Sequence, residues 1–231
     1  MSKPQLFCFT HAGGSASFFD VIEKNLPGID LFKIEYAGHG ARYKESFLRD
    51  FDELADDVYS FLKANYLNGE YALFGYSMGS ITLVEVLKRI IDDKVMKKPF
   101  HVFLAAFEPY SKAKFDVFSD VESDEWVKRR TIKFGAVPDK LISNKSFWRV
   151  HLPLYRADYS IIGKYRFEDL ELHTQIPATF FYSEIDTPRA GMELWRNYFV
   201  GDCSYHEFQG NHFFIHEHHW EMAQIISSKM Q

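Results

Sequence analysis

The chain of 231 residues is long enough for one domain with its own hydrophobic core and an insertion. Apolar residues make up 46% and charged residues 26%, which excludes a disordered chain. A net charge of −5 leaves no basic excess to neutralise phosphates and argues against a nucleic-acid binder. No apolar run approaches the roughly 20 residues that cross a bilayer, so no membrane association is expected. In chain order, residues 6–10 read as a first strand, preceded by no charged and apolar leader, and a cytoplasmic location is expected. Helical period follows at 17–25, then a strand at 31–36 and a helix at 51–65. In that helix Phe51, Leu54, Ala55, Val58, Phe61 and Leu62 form one apolar face. A strand at 71–76 feeds a helix at 78–92, and a fourth strand falls at 100–106. Residues 108–168 break the alternation: they are helical in pattern and rich in charge and aromatics. They read as an insertion at the carboxyl edge of the sheet, either a lid or a fixed helical layer. A strand at 178–182, a helix at 189–199, a strand at 204–208 and a helix at 217–229 complete the chain. The strands are mostly continuous apolar runs, as parallel strands covered on both faces are. The alternation predicts an α/β fold with a mostly parallel sheet and helices on both faces, as a single domain over 1–231. Cys8 and Cys203, the two cysteines, read as buried free thiols.

Gly75-Tyr76-Ser77-Met78-Gly79 matches G-x-S-x-G and lies between a buried-strand run and a helix. That context is what a nucleophile elbow requires, and it predicts the α/β-hydrolase fold with Ser77 as nucleophile. The backbone N–H of Met78 would face a developing oxyanion. Among ten histidines, His212 follows the last strand in Gly210-Asn211-His212-Phe213-Phe214, where a base belongs in the chain order Ser, acid, His. The acid is expected after the preceding strand. Asp186 is the first choice and Glu184 its competitor; a carboxylate there would fix the tautomer of His212. The loop His11-Ala12-Gly13-Gly14-Ser15-Ala16 offers the N–H of Ala12 as second oxyanion donor. That loop contains neither of the glycine patterns that cradle nucleotide phosphates. His216, His218 and His219 lie near Glu217 and Glu221, but without thiolates or spaced carboxylates they read as a solvated helix start, not a metal site.

These segments resemble the type II, or editing, thioesterases of nonribosomal peptide and polyketide synthesis, nearly end to end. Residues 7–16 look like that family's opening strand and oxyanion loop, and Phe74 to Gly79 like its elbow. Glu85 stands where it carries a helix glutamate. Leu152-Pro153-Leu154-Tyr155-Arg156-Ala157-Asp158 is similar to its segment ending in Arg-Ala-Asp, and residues 210–214 to its histidine motif. The chain departs from the family at Ala37-Gly38-His39-Gly40, usually Pro-Gly-Arg-Gly, at Tyr76, usually His, and at His11.

The resemblance implies a monomeric enzyme without metal or organic cofactor. Its substrate would be an acyl group on the phosphopantetheine arm of an acyl or peptidyl carrier protein. The same motifs leave room for a medium-chain acyl-carrier-protein hydrolase of fatty acid synthesis, a small-ester hydrolase or acyltransferase, or a non-catalytic relative. Trp126, Phe134, Phe147, Trp148 and Tyr155 of the insertion are expected to shield the site or line an acyl channel, and Lys128, Arg129, Arg130 and Lys133 to form a basic patch for an acidic carrier.

Overall fold

The computed structural model describes residues 3–67, 69–110 and 120–230. Residues 111–119 of the expected insertion lie outside the described residues. The strands are β1 (Gln5–Phe9), β2 (Asp30–Lys33), β3 (Tyr71–Tyr76), β4 (His101–Ala105), β5 (Ala178–Tyr182) and β6 (Cys203–Glu207). They form one sheet in the order β2-β1-β3-β4-β5-β6, and every neighbouring pair is parallel. The helices are α1 (Asp20–Glu23), α2 (Phe51–Asn65), α3 (Met78–Asp92), α4 (Asp124–Lys133), α5 (Lys145–Lys164), α6 (Arg189–Met192) and α7 (Ile215–Lys229).

The continuous apolar runs are explained by burial on both faces. Every residue of β1, β3, β4 and β5 is buried, whereas the edge strands β2 and β6 are partly exposed. Side chains alternate between two cores. Phe7, Phe9, Leu73, Leu104 and Phe180 face one core, shared with α2, α3, α4 and α5. Leu6, Cys8, Phe74, Phe103 and Phe181 face the other, shared with α1 and α7. Cys8 is buried and Cys203, on the edge strand, only partly so; both are free thiols.

Several boundaries differ from the sequence reading. β2 stops at Lys33 although the apolar run continues to Tyr36: β1 ends at Phe9, and the Tyr36 hydroxyl turns to the Thr10 carbonyl and the Thr82 hydroxyl. The segment after β1 winds first as a 3-10 turn, Ala16–Phe19, and only then as α1. The stretch after β5 likewise divides into α6 and a 3-10 turn, Glu193–Asn197. In α2, capped by the Asp50 carboxylate on the Glu53 N–H, Phe61 is exposed, off the apolar face that holds its neighbours. No helix among the described residues is long and apolar enough to cross a membrane.

The strand order reverses between β1 and β3. Ligands of open α/β sheets bind in the crevice outside the carboxyl ends at such a switch point. Here the two loops that meet there are the one after β1 and the elbow after β3. Their approach is set by backbone contact, because a Cβ on Gly79 would lie 2.0 Å from the Phe9 carbonyl oxygen, and one on Gly75 2.4 Å from the Gly79 carbonyl oxygen. Gly79→Ala must therefore push the first turn of α3 off β1. A stability loss of about 2–3 kcal/mol is expected, measured as a lower urea midpoint. An unchanged midpoint would show that helix and strand separate at little cost.

Candidate active site

Ser77 occupies φ 54° and ψ −122°, a conformation that non-glycine residues rarely adopt. The surrounding backbone holds it there. Its N–H donates to the Ala105 carbonyl (2.8 Å), and the Ser80 hydroxyl donates to the Gly75 carbonyl (3.1 Å). Ser77 is the N-cap of α3 and Met78 its first residue, so the Met78 N–H has no acceptor within the helix and lies at the positive end of the helix dipole.

The Ser77 hydroxyl lies 2.8 Å from His212 Nε2, and His212 Nδ1 lies 2.8 Å from Asp186 Oδ2. A carboxylate can only accept, so Nδ1 carries the proton in the neutral ring, and Nε2 is left to accept from Ser77. The loops that bring these groups together are tied to one another. The Asp186 and Thr187 N–H groups donate to the Ser183 carbonyl, and the Ser183 hydroxyl donates to the Gly210 carbonyl at 2.5 Å. The buried Tyr76 hydroxyl donates to the His212 carbonyl at 2.8 Å. Glu184, the competing acid, is exposed and accepts from the Arg189 N–H at the start of α6, away from His212. Ala12 lines the same cavity as Ser77 and follows His11, whose Nδ1 donates to the Ala12 carbonyl at 2.9 Å. Burial pushes the His11 pKa down to about 3, so that ring is neutral.

A cavity of about 250 Å³ opens in front of Ser77 and His212, walled by Phe107, Glu108, Tyr110, Arg130, Phe134, Tyr159 and Ile162 among others. Two expectations need correction here. Of the five insertion aromatics, Phe134 lines the cavity, its ring 4.8 Å from that of His212, and the other four pack elsewhere. Trp126 meets Tyr159 edge-on, Phe147 and Trp148 pack at the start of α5, and Tyr155 lies against Gly13. Nor does the basic run form one surface patch. Arg129 and Lys133 are exposed, but Arg130 turns into the cavity, its guanidinium 5.4, 5.0 and 5.6 Å from the ring centres of Trp126, Phe134 and Tyr159. The spacing 126, 130, 134 explains this, since residues four apart stack along one face of a helix. That periodicity was the signal in the sequence for Arg130. For Tyr76 and Ser183 there was none, because their partners are backbone carbonyls far along the chain. Near the C-terminal helix, His219 pairs with Asn25 and His218 with the Gln209 carbonyl. Among the described residues no three His, Cys, Asp or Glu side chains converge as metal ligands would.

Known proteins resemble this chain over nearly its whole length. The linear gramicidin dehydrogenase LgrE of Brevibacillus parabrevis is 28% identical, covering 98% of this chain and 87% of its own. The loop after β1 nonetheless lacks the G-x-G-x-x-G pattern of a dinucleotide site. The medium-chain S-acyl fatty acid synthase thioesterase of Rattus norvegicus is also 28% identical, over 91% of this chain and 81% of its own. Among solved structures, the type II thioesterase BorB from the borrelidin biosynthetic cluster superimposes with a TM-score of 0.85 at 25% identity, covering 100% of this chain and 94% of BorB. The thioesterase domain family model matches residues 4–230, and the chain therefore belongs to the thioesterase domain family, on an α/β-hydrolase fold.

Proposed function

We propose that this thioesterase hydrolyses acyl groups from the phosphopantetheine arms of carrier proteins, as the type II enzymes of nonribosomal peptide and polyketide synthesis do. In this reading Ser77 is the nucleophile, His212 the base and Asp186 its orienting acid. The observation that carries it is the unbroken chain Ser77–His212–Asp186, with both links at 2.8 Å, at the mouth of the cavity. Ser77 Oγ attacks the thioester carbonyl as His212 Nε2 takes its proton, and the N–H groups of Met78 and Ala12 receive the oxyanion. Collapse of the tetrahedral intermediate breaks the C–S bond, and His212 returns the proton to the departing thiol. Water, deprotonated by His212, then attacks the acyl-serine, and collapse releases the acid and restores Ser77. No metal or organic cofactor enters these steps. The likeness to type II thioesterases carries the expectation of a monomer, and two free thiols fit a reducing cytoplasm.

Described residues of the insertion, among them Glu108, Tyr110, Arg130, Phe134, Tyr159 and Ile162, supply the roof of the site. Arg156 donates to the Val121 carbonyl and pairs with Asp124, while Asp158 accepts from the Gly13 N–H, so α5 is tied both to α4 and to the loop after β1. These ties favour a fixed layer at α5 over a lid that swings as a whole. A medium-chain acyl hydrolase of fatty acid synthesis is the second reading, favoured by the likeness to the rat enzyme.

Ser77→Ala should keep its fold, lose labelling by a fluorophosphonate probe, and lose activity down to the roughly 10³–10⁴-fold acceleration over water that binding and oxyanion donors alone supply. Asp186→Asn should be nearly as severe, and Glu184→Gln should stay within about two-fold of the parent. Turnover that fails with Glu184→Gln but survives Asp186→Asn would exchange the two roles. An acyl-pantetheine on a carrier protein should show a much higher kcat/KM than the same acyl group on coenzyme A. Equal values would leave a general thioesterase. Reversing Arg129 and Lys133 to Glu, with Arg130 left in the cavity, should lower kcat/KM for the carrier substrate, more at low salt than at high. The coenzyme A rate should stay unchanged.

A further inference from the structure

One peptide bond of the site, that between Ala12 and Gly13, is held from two sides. Its carbonyl accepts from His11 Nδ1 at 2.9 Å, and its N–H donates to Asp158 Oδ2 at 2.6 Å. Gly13 sits at φ +70°, and a Cβ there would fall within the Tyr155 ring, so α5 packs directly on this peptide. Asp158 Oδ2 has a second partner, His39 Nε2 at 3.0 Å, and His39 Nδ1 lies 3.0 Å from the Ala37 carbonyl. A carbonyl and a carboxylate both need donors, so the pattern is complete only when both ring nitrogens carry protons. His39 is 2% exposed and Asp158 4%, so the pair is shielded from solvent and its charge state matters mechanically.

The geometry points to His39 as a positioning residue: its imidazolium holds the Asp158 carboxylate on the Gly13 N–H and thereby fixes the Ala12–Gly13 peptide, which shares the Ala12 Cα with the His11–Ala12 peptide whose N–H reaches the oxyanion. This rests on the role of Ala12 given above. The charged and titratable groups that act on His39 are Asp158 from α5, Glu35 and Tyr36 from the segment after β2, and His11 from the loop after β1; Phe47 adds an apolar ring. Burial alone would push the His39 ring toward neutrality. The Asp158 charge and hydrogen bond, the Ala37 carbonyl and Glu35 outweigh it, and its pKa stands above the ordinary histidine value. His11 is neutral, so it adds no repulsion. The sign follows: His39 keeps its proton through neutral pH and loses it as pH rises through the raised value. Activity should then fall on the alkaline side, in kcat and not in KM.

The experiment is the pH profile of kcat and KM for hydrolysis of p-nitrophenyl butyrate. That ester passes through the same oxyanion site whatever thioester is natural, so a failed carrier-protein reading does not decide the outcome. Wild-type kcat should drop about ten-fold above the His39 pKa, a fraction of what loss of a whole oxyanion donor costs. His39→Gln should sit about ten-fold low at all pH values with no alkaline fall. His39→Arg, a cation that does not titrate in this range, should restore kcat and also lack the fall. Asp158→Asn should move the fall to lower pH by about one unit or more. In the wild-type protein, carbon-13-labelled histidine spectra should show the His39 signal, assigned by its contact with the Phe47 ring, titrating above about 6.5. An alkaline fall that is absent in the wild type or persists in His39→Gln would overturn the proposal. A His39 signal that titrates at or below the ordinary value would do so even if no variant folds.

Discussion

Backbone meets backbone where α3 crosses β1, and the rest of the site depends on that contact. With no side chain at Gly79, the first turn of the helix lies against the Phe9 carbonyl. This brings the ends of two adjacent parallel strands, and the loops that follow them, into one crevice. Ser77, the proposed nucleophile, belongs to one loop and Ala12, the proposed oxyanion donor, to the other. A side chain at Gly79 would push the helix off the strand and move the two loops apart. The sheet contributes stiffness, since its four central strands are buried along their length and have little freedom to adjust.

Around this contact the site is held by single hydrogen bonds that each join distant stretches of chain. Tyr76 reaches the His212 carbonyl, Ser183 reaches Gly210, Asp158 reaches Gly13, and Arg156 reaches back to the start of α4. Each contributes on the order of 1 kcal/mol. Their effect on geometry is larger than their effect on stability, because each fixes a loop whose own sequence leaves it several conformations. Residues inserted between β4 and β5 thus take part in arranging the loop after β1.

The sequence carried the sheet and the three central side chains because both are written locally. Apolar runs mark buried strands, and Ser77 and His212 stand in short motifs with the right element before them. Asp186 could be chosen over Glu184 because it lies nearer the helix start. What remained hidden was written nonlocally. His39 and Asp158 are 119 residues apart, and nothing near either announces the other. Residues 37–40, where the chain departs from the family pattern, lie far from the elbow in sequence; folding places His39 one carboxylate away from the loop after β1. Arg130 was misplaced for a different reason. A run of basic residues reads as a solvated face, yet helical spacing sets one of them among aromatic rings.

The positive φ of Ser77 also limits which hydroxyl side chains this position accepts. A threonine hydroxyl would be chemically as capable as that of serine, but a branched Cβ is among the side chains that such a backbone tolerates least. The strand on one side and the helix on the other leave the turn no room to relax. The backbone therefore admits only unbranched side chains, and the choice between two alcohols of similar reactivity is made by the fold.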